Sequence, residues 1–203
     1  MNDLMKKYPT FLLLPAQGVG GGEVWAGEAV GKKLLAELIA RVPKLDDDFV
    51  VVDLHGVEMV TASAFRASLR GLREYIGGTF HKPTIFANAA PETIEEAEFV
   101  AAKYGDLYLF GEYEDGGIRC TKLVGDIDQT LADTLELLAL QDECDAKALF
   151  ELRKTPGVTA WHNRLTDLAG KGLVTVRSEG RSRRYRSLLK EIRHGDRVHP
   201  VAL

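Results

Sequence analysis

Five arginines fall within ten residues near the end of the chain: Arg177, Arg181, Arg183, Arg184 and Arg186, with Glu179 the one acid among them. A guanidinium stays charged and presents its N–H groups as a planar fork, which suits phosphate oxygens. So dense a run exceeds what solubility requires and points to a polyanion. Alternation along a strand sends Arg184 and Arg186 to the side opposite Tyr185, so the arginines can face phosphate while the tyrosine packs inward. Just upstream, Trp161, Leu165 and Leu168 recur at helical spacing and form an apolar stripe. The opposite face carries Thr159, Ala160, Asn163, Thr166 and Asp167, with His162 and Arg164 on its flanks. Several of these side chains can reach base edges: Asn pairs with adenine, Arg with guanine, and Thr meets the thymine methyl. The expected DNA-binding set is therefore Thr159, Ala160, His162, Asn163, Arg164, Thr166, Arg177, Arg181, Arg183, Arg184 and Arg186.

The charge balance carries the same message. The chain has 203 residues, 26 of them Lys or Arg and 30 Asp or Glu. Residues 1–125 hold 13 basic and 18 acidic side chains, residues 126–152 hold one and eight, and residues 153–203 hold 12 and four. A basic unit on an acidic body is the asymmetry expected where the C-terminal part meets a polyanion.

Other reactive side chains do not assemble into a site. Gly18 to Gly22 lacks the Gly-Lys-Ser/Thr ending of a phosphate-binding loop. Asp53 and His55 flank a strand end without a third catalytic member, and Asp46 to Asp48 read as a solvated loop. His81, His194 and His199 show no metal-ligand spacing. Cys120 and Cys144 have no CxxC partner and fit reduced thiols in a cytoplasm. No catalytic residue, metal or cofactor is expected, so the chain reads as a non-enzyme. No apolar run approaches the length of a membrane span, and the first residues lack the layout of a signal peptide.

The elements that must position the basic unit follow from periodicity. Phe11–Leu14, Phe49–Leu54 and Pro83–Asn88 are strand-like apolar runs. They alternate with helical patterns over Glu28–Val42, Thr61–Ile76 and Pro91–Tyr104, the second ended by Gly77-Gly78 and the third by Gly105. Leu107–Phe110 and Ile118–Val124 flank a turn at Glu114–Gly117. This order implies an α/β fold with a mostly parallel sheet. Strand signals then stop, and Gly125 is the expected boundary between residues 1–125 and 126–203. Three helices follow, over Thr130–Leu140, Asp145–Arg153 and Thr159–Gly170, and then the basic hairpin. The tail from His194 to Leu203 reads as loosely ordered.

Two resemblances give these units names. Leu165, Leu168, Gly172, Leu173 and Val174, followed by a strand, a basic turn and a returning strand, resemble the winged helix-turn-helix family of MarR and ArsR-type regulators over about residues 130–188. That resemblance implies a third helix in the major groove and a wing on the backbone or minor groove. Trp161 stands where the family has a small or β-branched residue, and its phase places it in the core. Val51-Val52-Asp53-Leu54 followed by Thr61-Ala62-Ser63-Ala64-Phe65 resembles a STAS-like domain, the fold of anti-sigma-factor antagonists, over about residues 10–125. The resemblance places Ser63 at the family's phosphorylated serine, with Thr61 and Ala64 replacing its Asp and Gly. Thr61 and Ser63 are thus either a phosphorylation or partner site, or a helix N-cap pair. Together these readings imply a cytoplasmic transcription regulator that binds double-stranded DNA as a homodimer, with a protein partner or small ligand acting at the STAS-like domain. The alternative is a partner-switching protein that binds an ATPase-type regulator and uses the winged helix for protein contacts.

Overall fold

Four parallel strands follow one another across the main sheet in chain order, and that order decides which face of the sheet needs a second cover. In the computed structural model, residues 9–20, 22–42, 44–180, 182–193 and 199–200 are described. The first half contains β1 (Phe11–Pro15), β2 (Val24–Trp25), α1 (Glu28–Ala40), β3 (Phe49–Asp53), β4 (Met59–Val60), α2 (Ala62–Phe65), α3 (Gly71–Phe80), β5 (Thr84–Ala87) and α4 (Pro91–Tyr104). The second half contains β6 (Tyr108–Glu114), β7 (Gly117–Val124), α5 (Gln129–Ala139), α6 (Ala146–Arg153), α7 (Val158–Gly170), β8 (Val174–Glu179), β9 (Ser182–Ser187), β10 (Lys190–Arg193) and β11 (His199–Pro200). The fold is mixed α/β. Its main sheet has the order β1-β3-β5-β6-β7-β10-β11, with the first four strands parallel and the rest antiparallel.

Each parallel connection moves one strand in the same direction. Right-handed crossovers therefore put α1, α2–α3 and α4 on one face. There Leu34, Leu38, Phe65, Leu69, Leu72, Ala97 and Val100 pack on Val50, Val52, Phe86 and Tyr108. The strands are apolar on both sides, so the opposite face is equally in need of burial. It presents Phe11, Phe49, Val51, Ile85, Leu109 and Ile118. These form one cluster with Leu131, Leu135 and Leu138 of α5, Leu149 of α6, Leu165 and Leu168 of α7, and Tyr185 of β9. The apolar cluster thus runs across Gly125, and β10 returns the chain to the sheet beside β7.

Local signals behave as the sequence implies at most element ends. Pro91 opens α4 and Gly105, at φ 67°, closes it. Asp128 caps α5 by accepting the Thr130 and Leu131 N–H groups, and Asp145 caps α6 by accepting that of Ala148 at 2.8 Å. Asp115 and Gly116, both at positive φ, make the β6–β7 turn. Three features differ from expectation. Gly77-Gly78 does not end its helix: α3 runs to Phe80, which packs edge-on against Tyr75, and His81 closes it in the left-handed region. Two helical glycines disfavour the helix by only about 0.5–1 kcal/mol each, too little to stop one anchored on both sides. A π-helical turn, Arg66–Arg70, joins α2 to α3. At the tail, residues 194–198 and 201–203 lie outside the described residues, while β11 pairs with β10.

Candidate nucleic-acid interface

After Gly125 the order is helix, single bridging residue, helix, helix, hairpin. The bridging residue is Cys144, between α5 and α6. It exchanges backbone hydrogen bonds of 3.0 and 2.8 Å with Tyr185, so the β8–β9 ribbon gains a third strand position. This tie fixes the hairpin against the helices and buries Tyr185 in the shared core.

Helix α7 is amphipathic as its spacing requires. Trp161, Leu165 and Leu168 are buried, while Thr159, His162, Asn163, Thr166 and Asp167 are exposed. Ala160 and Arg164 are half-buried. The Arg164 guanidinium lies over the Trp161 indole, 4.9 Å from its centroid, so the arginine is positioned by its neighbour rather than swinging freely. The Thr166 hydroxyl donates to the His162 carbonyl at 2.9 Å, one turn back within the same helix.

The hairpin does not gather its arginines on one side. Its register pairs Ser178 with Arg183 and Val176 with Tyr185, so these share one face. Arg177 pairs across from Arg184 and Thr175 from Arg186, so those share the other. Arg183 is exposed and, among the described residues, makes no ion pair. Arg177 meets Glu143 at 2.8 Å and Arg184 meets Glu179 at 3.3 Å. Arg186 departs from the expectation that it faces phosphate: it is only 7% exposed. Burial pulls its pKa down, against the opposing pull of Glu143 and Asp142. Arg186 sits at the base of the hairpin, where the ribbon joins the body, and its guanidinium is held there by burial beside carboxylates. Arg181 lies outside the described residues. Thr166 and Arg183 also line a cleft of about 860 Å³ shared with the end of α3.

The Thr61–Ser63 pair does not cap its helix as the N-cap expectation has it. Thr61 occupies the N-cap position of α2, but its side chain caps no helical N–H. It turns instead to the β2–α1 connection, accepting the Gly27 N–H at 3.3 Å and approaching the Trp25 carbonyl at 3.4 Å. The first helical N–H, that of Ala62, donates to the Glu96 carboxylate of α4 at 2.6 Å. Ser63 is exposed and lies 3.3 Å from the Thr61 hydroxyl. A carboxylate thus already occupies the position a phosphoryl group at this helix start would use. A carboxylate does the same at the glycine-rich loop, where Glu37 accepts the Gly20 N–H at 3.0 Å.

Asn88 and Glu96 are two residues that the sequence alone does not single out. Asn88, at φ 55°, donates to the Asp53 carboxylate at 2.9 Å and accepts the Tyr113 N–H at 3.1 Å. It ties the ends of three neighbouring strands, and Asp53 also accepts the His55 backbone N–H at 3.0 Å. Cys120 and Cys144 are buried and form no disulfide, and burial pushes Cys120 up to about 12, far from a thiolate at neutral pH. Among the described residues, no group of three His, Cys, Asp or Glu side chains could hold a metal ion, and no helix is long and apolar enough to cross a membrane. Comparison with protein-family models, with curated proteins and with solved structures found no match.

Proposed function

We propose that the chain is a cytoplasmic DNA-binding transcription regulator in which a STAS-like α/β unit controls a winged helix. The observation that carries this reading is the exposed polar face of α7, with Thr159, His162 and Asn163 outward, beside a hairpin that presents Arg183. In support of this reading, the order is α5, bridging Cys144, α6, α7, β8, β9, and the reading takes α7 as the helix that enters the groove. In this reading Asn163 addresses a base edge and Arg183 a phosphate. One such module reads few base pairs, so the protein acts as a homodimer on a two-fold site. The STAS-like reading rests on β3 ending in Asp53 and on the Thr61-Ala62-Ser63-Ala64-Phe65 start of the following helix.

Selection of bound duplexes from a random DNA pool tests the proposal. Asn163→Ala should weaken the selected site by about 1–3 kcal/mol and relax preference at one position. Arg183→Ala should weaken all duplexes alike and lower the salt slope by about one. Selection of no duplex, or both variants binding as wild type, would overturn it. A second reading, protein contacts through the hairpin, is favoured by one observation: Val176 is 39% exposed on the Arg183 face, and an apolar group there suits a protein surface. Salt-insensitive binding would favour that reading over DNA.

A further inference from the structure

The cleft beside Arg183 is built from two parts of the chain far apart in sequence. One side is the end of α3 and the residues after it, with Gly77, Gly78, Phe80, Lys82 and Pro83. The other is the end of α7 and the face of the hairpin, with Gly170, Gly172, Val176 and Arg183. The sides meet where Gly172 approaches Pro83, and the Arg73 guanidinium donates across to the Lys171 carbonyl at 3.0 Å.

Three of the lining glycines have no backbone reason to be glycine. Gly77, Gly78 and Gly170 lie in helices, none is in the left-handed region, and a Cβ on any of them would meet nothing within 4 Å. Alanine there would favour the helix by about 0.5–1 kcal/mol at each position. Their shared property is that they keep the walls of the cleft bare. The charge balance of the lining is positive as well. Against Asp48, which accepts the Thr10 N–H at 2.9 Å and keeps its negative charge, and Glu74, paired with Arg70 at 2.9 Å, stand Arg73, Lys82 and Arg183. Lys82 and Arg183 make no hydrogen bond or ion pair among the described residues. Thr84, 4% exposed, also lines the cleft with its hydroxyl unpartnered. Bare, partly apolar walls with two unengaged cations suit one ligand class.

We infer that this cleft binds a small organic anion, a carboxylate or phosphate ester on a flat apolar body, with Lys82 and Arg183 as its charge partners. Where the proposed DNA reading holds, occupancy also draws Arg183 and Thr166 away from the duplex, so the ligand is an effector that opposes DNA binding. That coupling rests on the DNA reading; the site itself does not.

Anilinonaphthalene sulfonate, a flat aromatic anion, serves as the probe on the full chain. Its fluorescence should rise saturably with one probe per chain while the melting transition stays intact. The Lys82→Ala, Arg183→Ala double variant should weaken binding at least tenfold, and Gly78→Leu, which projects into open space, should abolish it. If Gly78→Leu fails to fold, Gly170→Leu fills the cleft from the other side. Non-saturable binding, or variants that bind as wild type, would overturn the site. Lys82 lies outside the proposed DNA contacts, so Lys82→Ala alone should weaken the probe and spare the duplex. Probe binding with this pattern in a protein that selects no DNA would remove the proposed function and leave the cleft standing.

Discussion

Unfolding should be a single event felt by both halves of the chain, because among the described residues the sheet face opposite α1 to α4 is covered by the segment after Gly125. Six side chains on that face, Phe11, Phe49, Val51, Ile85, Leu109 and Ile118, are at most 4% exposed. Returning each to water costs about 1.5–3 kcal/mol, so baring the face costs about 9–18 kcal/mol in all. That matches or exceeds the whole stability of an ordinary domain, about 5–15 kcal/mol. The C-terminal segment therefore cannot leave the sheet without unfolding it. Leu138 in α5 is fully buried in this cluster, and Leu138→Ala should remove about 2–5 kcal/mol. With a urea dependence of about 3 kcal/mol per molar, the midpoint should fall by roughly 1 M. The two tryptophans report separately, Trp25 from the helix-covered face and Trp161 from the other. In a Trp161→Phe background only Trp25 fluoresces, and its midpoint should still fall by that amount when Leu138→Ala is added. A Trp25 midpoint that stays put while the Trp161 signal shifts in the complementary background would refute the shared core.

Gly77→Ala with Gly78→Ala should stabilise α3 by about 0.5–1 kcal/mol per site and raise the melting temperature by roughly 2–4 °C per kcal/mol; a lower melting temperature in calorimetry would contradict the open space around both positions. Cys120, pushed up to about 12 by burial, should make stability fall in alkali. An unfolded thiol ionises near about 8.5 and the folded one does not, so the unfolded state holds fewer protons above that pH and is favoured by about 1.4 kcal/mol per unit. Between pH 8 and pH 10 wild type should lose about 2 kcal/mol more than Cys120→Ala in urea titrations; an equal loss would count against the burial of that thiol.

What the sequence discloses here is whatever is encoded within a few residues. The β-branched run Phe49–Asp53, the Pro91 start and Gly105 stop of α4, the Asp115-Gly116 turn and the stripe Trp161, Leu165, Leu168 all act locally, and each lies where its spacing implies. The two-residue pairs β2 and β4 are too short to leave a periodic signature. The capping of Ala62 by Glu96 spans 34 residues, and the tie of Arg73 to Lys171 spans 98. No local pattern announces either. Gly77-Gly78 reads as a stop because glycine weakens a helix, but the flanking Leu72, Ile76 and Phe80 hold α3 together through contacts the local sequence does not display.

The charge asymmetry is the instructive case, because the acidic and basic segments that alternate along the chain are partners in space. Residues 126–152, with eight acids against one base, supply Glu143 to Arg177 and place Glu143 and Asp142 beside Arg186. Strand alternation then sorts the hairpin: Arg177 and Arg184 share a face and are paired with acids, whereas Arg183, on the other face, makes no ion pair among the described residues. Exposed pairs such as Arg177–Glu143 are held by about 1 kcal/mol or less, so they yield where a phosphate offers more. Burial of Arg186 is a different matter, since its guanidinium cannot be offered without opening the base of the ribbon. Among the described residues, the cationic surface open to a partner is thus narrower than five arginines in ten residues imply. It centres on Arg183, which stands where the α7 face, the hairpin and the glycine-walled cleft converge. A single side chain shared by two binding surfaces is the simplest physical route by which an occupant of one excludes an occupant of the other.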